Sequence, residues 1–244
     1  RARPRRARRR VRLLAGRLTR TSDPGIAHAV GRSNHSAVSP AHRRIEKRIA
    51  ACEVVRVGLQ MDGTPISVVA ERLERGETCV LQARRVDDLL TPVAAYLRLA
   101  ANQPNSFLLE SVEGGAWRGR YSAIGLDPDL IWQCRDGVVS QASGMDVAAR
   151  KFTPLDTEPM TALRAVIEAA HCPLPDDAPP LASGLFGYVG YDMVRYLERL
   201  PDGAAPDPLG LPESVLLRPQ TMVVFDALKQ EIQVYCPVRP GEYS

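Results

Sequence analysis

The stretch "LIWQCRDGVVSQAS" places an Asp-Gly pair, Asp136-Gly137, between two apolar runs. Asp-Gly tolerates the positive φ angles of a two-residue turn, so this spacing predicts an antiparallel hairpin. The hairpin is not isolated. Strand patterns fall at Thr78–Val86, Phe107–Ser111, Tyr121–Leu126, Leu130–Cys134, Leu185–Val189, Val215–Leu217, Met222–Phe225 and Glu231–Cys236, the last two as a second hairpin. Helical signals are fewer. Thr64-Pro65 and Thr91-Pro92 each fit an N-cap followed by Pro in the first turn. The first predicted helix stops at Gly76, and the second turns Val93, Tyr96, Leu97 and Ala100 to one face. A third, near Pro159 to Ala170, directs Leu163, Val166 and Ile167 inward, and a short one over Tyr191–Leu200 ends at Pro201. Leu185–Val189 reads as a buried strand. Strands outnumber helices and pair with their neighbours, which predicts an α+β fold of antiparallel sheets flanked by helices.

Charge divides the chain. Residues 1–60 hold 16 Lys and Arg against 3 Asp and Glu, and no Tyr, Phe, Trp or Met. Such a segment buries too little apolar surface to offset its ordering entropy and is expected to be disordered. It reads as an artefactual extension, a targeting segment or a nucleic-acid arm, with nucleic acid the less favoured. Met61 looks like a fresh start, so residues 61–244 are expected to form the domain. The ending "PVRPGEYS" follows a strand with no closing helix, as if cut. No apolar run nears the roughly 20 residues of a membrane span. The five cysteines are scattered, which fits free buried thiols in a reducing cytoplasm.

Catalytic constellations are scarce. His171 is the sole histidine after residue 60 and follows a predicted helix, which fits a cap or a solvated residue. "GLFGYVG" spaces Gly184, Gly187 and Gly190 unlike a dinucleotide or phosphate loop, and fits close backbone approach instead. Asp176-Asp177 sits among prolines as a solvated loop. No catalytic residue, metal ligand set or cofactor site is assigned within the chain.

"SFLLESVEGGAWRGRYSAIG", residues 106–125, differs because acid and base flank a glycine turn at Gly114-Gly115. A bound amino acid needs acceptors for its ammonium and donors for its carboxylate. Ser111 offers a hydroxyl, Glu110 a charge, and Arg118 or Arg120 a guanidinium fork. A polar hairpin with weak cross-strand ion pairs explains the same residues and is the simpler reading. Spacing alone leaves both open.

The block "LLESVEGGAWRGRYSAIG", with "ASGLFGYVGYDMVRYLERLP" and "DPLGLPESVLLRPQTMVVFDALKQEI" following in order, resembles the N-terminal region of anthranilate synthase component I over about residues 62–238. The resemblance implies one part of that family's α/β sandwich. It also implies an enzyme taking chorismate and ammonia to anthranilate and pyruvate with Mg²⁺, with ammonia delivered by a glutamine amidotransferase subunit. The family's Leu-Leu-Glu-Ser segment lines the site where L-tryptophan acts as feedback inhibitor. It maps onto Leu109, Glu110 and Ser111, with Arg120 at or near a basic position after the turn. The resemblance puts the rest of that site, the catalytic residues and the Mg²⁺ ligands in a C-terminal chorismate-binding domain that this chain lacks. The chain alone is therefore expected to be inactive. An aminodeoxychorismate synthase component and a non-catalytic binding module are the alternatives.

Overall fold

The computed structural model describes residues 71–86, 89–100, 103–111, 119–201 and 209–240. The basic segment 1–60, Met61, the helix start at Thr64-Pro65, the Gly114-Gly115 turn and Arg118 lie outside the described residues.

The eight strands among the described residues join one antiparallel sheet. They are β1 (Cys79–Val86), β2 (Phe107–Leu109), β3 (Tyr121–Arg135), β4 (Val138–Ser143), β5 (Thr153–Pro154), β6 (Phe186–Val189), β7 (Ser214–Asp226) and β8 (Glu231–Val238). The long strands β3 and β7 pair along their length as a central ribbon, and each changes its outer neighbour halfway. Around Tyr121–Leu126 the order is β2-β3-β7-β8-β1; around Leu130–Arg135 it is β6-β7-β3-β4-β5. Tyr121–Leu126 and Leu130–Cys134, expected as separate strands, are thus one strand, and so are Val215–Leu217 and Met222–Phe225. The β3–β4 turn has φ 50° at Asp136 and 75° at Gly137, the positive pair that Asp-Gly favours.

Alternation along the strands fills both faces. Ile124, Val223, Phe225, Val234 and Cys236 pack beneath α1 (Pro92–Leu99). Ala123, Met222, Val224 and Tyr235 face the opposite way, under Cys172, Ala182 and Leu174. In the other half, Trp132, Cys134 and Val139 meet Ala162, Leu163 and Val166 of α3 (Pro159–Ala170). Ile131 and Ala142 meet Val147 of the short α2 (Met145–Ala149). Each such aliphatic side chain, fully buried, contributes roughly 1.5–3 kcal/mol.

The caps follow the sequence. Thr91 Oγ1 accepts the Ala94 N–H at 3.2 Å ahead of Pro92. Helical residues 71–74 end at Gly76, φ 76°, where the Gly76 and Glu77 amides reach back to Leu73 and Arg72 carbonyls. Three face assignments differ. Val93 and Leu97 of α1 are exposed, and Ala95 and Ala100 hold the buried stripe. Ile167 of α3 is 53% exposed, because the helix turns Ala162, Val166 and Ala170 inward. β6, expected to be buried, pairs with β7 only, and its Tyr188 and Val189 are exposed. The short helix expected over Tyr191–Leu200 is a 3₁₀ segment over Tyr191–Tyr196.

Candidate functional site

β2 is three residues long, with Phe107 opposite Gly125, Leu108 opposite Ile124 and Leu109 opposite Ala123. Leu108 packs toward the α1 core, and Phe107 packs on the other face with its ring 5.0 Å from that of Phe186. Gly125 makes room for this ring: a Cβ there would sit 2.2 Å from Phe107 Cζ. Beyond Leu109, which is 47% exposed, the ladder stops. Ser111 nevertheless stays on β3, because its N–H donates to Ser122 Oγ at 3.2 Å. Ser122 is buried, whereas the side chains of Glu110 and Ser111 are exposed at the strand end.

Arg120 lies one residue before β3. Its Nε and Nη2 fork onto Asp226 Oδ1 and Oδ2 at 3.0 and 2.8 Å, and its guanidinium stands 4.7 Å over the Tyr121 ring. Asp226 ends β7, and its Oδ1 also accepts the Leu228 and Lys229 amides that turn the chain into β8. Burial pushes the Asp226 carboxyl up, but the Arg120 guanidinium and these amides outweigh it and hold the group below the ordinary carboxylate range. Since β2 and β7 flank β3 from opposite sides, the proposed residues form two groups. Leu109, Glu110 and Ser111 lie together on the β2 side, and Arg120 is drawn to the β7 side. Residue patterns alone missed Asp226 and Ser122. An Asp closing an apolar run before a Leu-Lys turn was the available signal for the first.

Other polar clusters occur among the described residues. Glu213 accepts the Tyr196 hydroxyl at 3.0 Å, the Cys134 thiol at 3.2 Å and the Gly137 amide at 3.4 Å. Burial and then the Glu213 carboxylate push the Cys134 thiol up to about 12, so it is a neutral donor and not a nucleophile. Asp129 takes a fork from Arg218 at 2.8 and 3.0 Å, and Arg218 and Arg239 also reach the Ala169 and Ala170 carbonyls at the end of α3. This is a charge-matched helix C-terminus. His171 is the exposed C-cap of the same helix. The glycines of "GLFGYVG" serve packing: a Cβ on Gly187 would lie 1.9 Å from the Val215 carbonyl oxygen, and one on Gly190 2.6 Å from that of Glu213. Cys79, Cys134, Cys172 and Cys236 are buried. Among the described residues no group of three or more His, Cys, Asp or Glu could hold a metal, and no helix is long and apolar enough to cross a membrane.

The molecule is an α+β antiparallel sheet with an acidic, hydroxyl-bearing arm at one strand end. Its relatives say more. No family model matches the chain. Over 164 residues it is 48% identical to anthranilate synthase component 1 of Cereibacter sphaeroides, covering 66% of this chain and 32% of that protein. The Thermus thermophilus protein of the same name is 42% identical over 157 residues, covering 64% of this chain and 31% of the relative. That of Mycolicibacterium smegmatis is 40% identical over 139 residues, covering 57% and 26%. A solved structure of anthranilate synthase component I from Streptococcus pneumoniae aligns over 65% of this chain and 31% of its own, at 26% identity and a TM-score of 0.39. Over about two thirds of its length the chain is a homologue of anthranilate synthase component 1, and it spans about a third of the length of those relatives.

Proposed function

We propose that the chain is the N-terminal regulatory part of an anthranilate synthase component I, the enzyme of tryptophan biosynthesis that converts chorismate and ammonia to anthranilate and pyruvate. In this reading Leu109, Glu110 and Ser111 form half of an L-tryptophan feedback site, completed by a chorismate-binding domain. The observation that carries it is the exposed Glu110–Ser111 arm, tethered to buried Ser122 at the open end of a three-residue strand. A carboxylate there attracts a ligand ammonium, and the Ser111 hydroxyl can donate or accept. A cytoplasmic setting and a glutamine amidotransferase partner belong to the same proposal. The same proposal assigns Mg²⁺ binding to the chorismate-binding domain.

Catalysis by this chain alone is not expected, since this reading assigns the catalytic residues to the chorismate-binding domain. Anthranilate fluorescence measured with purified chain, chorismate, Mg²⁺ and excess ammonium tests this. No signal above blank is expected, and a rate proportional to the amount of chain would refute the assignment of catalysis elsewhere.

A further inference from the structure

The Asp226 carboxylate receives four N–H donors: Nε and Nη2 of Arg120 and the amides of Leu228 and Lys229. Its side chain is 1% exposed, so releasing the guanidinium would leave a buried carboxylate without the cation that balances it. Arg120 is thereby committed within the fold. The Arg120 carbonyl also accepts the Ala227 N–H at 2.9 Å, closing the join between β3 and β7 from both ends of one residue. Next along β3, Tyr121 pairs with Asp226 and Ser122 with Phe225. Ser122 Oγ is the acceptor that holds the Ser111 amide. A slip of one residue here would turn the Ser122 hydroxyl to the other face and release the arm.

We infer that Asp226 is a positioning residue for the Glu110–Ser111 arm, and that Arg120 acts on that arm through Asp226 and not by touching a ligand. The regulatory consequence rests on the reading of the arm as an amino-acid site; the brace itself does not.

The test uses wild type, Asp226→Asn, Arg120→Gln and the double variant of the full chain. Amide exchange is followed at Ser111 and, as a distant reference, at Val166 in α3. Each single variant should speed Ser111 exchange on the order of tenfold, the double should add nothing, and Val166 should be unmoved. Unchanged Ser111 exchange, or additive effects, would overturn the brace. Arg120→Lys, which keeps charge but loses the fork, gives the same reading if Asp226→Asn does not fold. In a chimeric enzyme carrying this segment within the Cereibacter relative, Asp226→Asn and Arg120→Gln should raise the L-tryptophan inhibition midpoint equally. A far larger effect of Arg120→Gln would mean direct ligand contact and sink the inference. If the exchange pattern holds but tryptophan leaves the unmutated chimera uninhibited, the amino-acid site fails while the brace stands.

Discussion

Pro128 and Pro219 face each other across β3 and β7, at the one place where both strands change their outer neighbours. On β3, pairing with β2 reaches Gly125 and pairing with β4 begins at Leu130; on β7, pairing with β6 reaches Leu217 and pairing with β8 stops at Met222. Two residues that cannot donate to a ladder thus occupy positions with no outer strand to receive a donor. The register also shifts here, between Pro128 and Leu130.

Pro128→Ala should therefore cost little, about 0.4–1 kcal/mol, mainly by freeing the unfolded chain. Ile124→Pro, four residues away between β2 and β7, should cost roughly 3 kcal/mol or more. Urea midpoints of the two variants check the contrast.

Gly187→Ala should be among the worst small substitutions in the molecule, because the new methyl meets backbone, the Val215 carbonyl, at 1.9 Å. Roughly 3 kcal/mol is expected, with β6 displaced from β7. Gly76→Ala meets nothing within 4 Å and is strained only by its φ of 76°, so about 1 kcal/mol is expected. At about 2–4 °C per kcal/mol for a domain of this size, thermal melts separate them.

Alkaline pH should weaken the fold. Burial raises Cys79 from 9.0 to about 11, and burial with the Glu213 carboxylate raises Cys134 to about 12. Thiols with raised folded values favour the native state fully below pH 9, and the contribution is lost as pH rises through 11 and 12. Melting points should fall across that window, and native-state iodoacetamide labelling at pH 8 should be slow at both cysteines. Fast labelling of Cys134 would contradict the burial of its thiol.

Acid should act through Asp226. Its folded value lies below the ordinary 3.8, so its contribution is complete above that pH and disappears as pH falls through the folded value. Wild type should lose stability below about pH 4 more steeply than Asp226→Asn, measured by urea unfolding across pH 2–6. Parallel acid limbs would show that the Arg120 fork contributes nothing.

Local signals were legible where one residue type had one structural use. Asp136-Gly137, the Thr91 cap and the stop at Gly76 each follow from backbone chemistry carried by two or three adjacent residues. Strand continuity was not, since Asp127-Pro128 reads as a break, yet the β3–β7 ladder runs past it on both sides. Helix faces failed for the same reason: Val93, Leu97 and Ile167 fit a helical repeat, but the neighbouring sheet selects Ala95, Ala100 and Ala170. In the candidate site, Glu110 and Ser111 were singled out by their place after an apolar run. Arg118 or Arg120 was singled out as a guanidinium fork after the turn, yet the Arg120 partner Asp226 lies over a hundred residues away, a pairing the β3–β7 register reveals.

The central claim, that the Glu110–Ser111 arm holds a regulatory amino acid, is tested most directly by tryptophan titration. The matched segment of this chain, 48% identical over 164 residues, replaces its counterpart in the Cereibacter relative. Chorismate turnover is then followed against L-tryptophan, each variant scaled to its own uninhibited rate. Ser111→Ala, leaving a ligand group without its hydroxyl, should raise the midpoint about tenfold, in line with a lost bond of roughly 1–3 kcal/mol. Ser111→Phe should abolish inhibition by filling the space the ligand needs at the arm. If Ser111→Phe keeps the unmutated midpoint, the arm is a polar strand end and the regulatory reading is wrong.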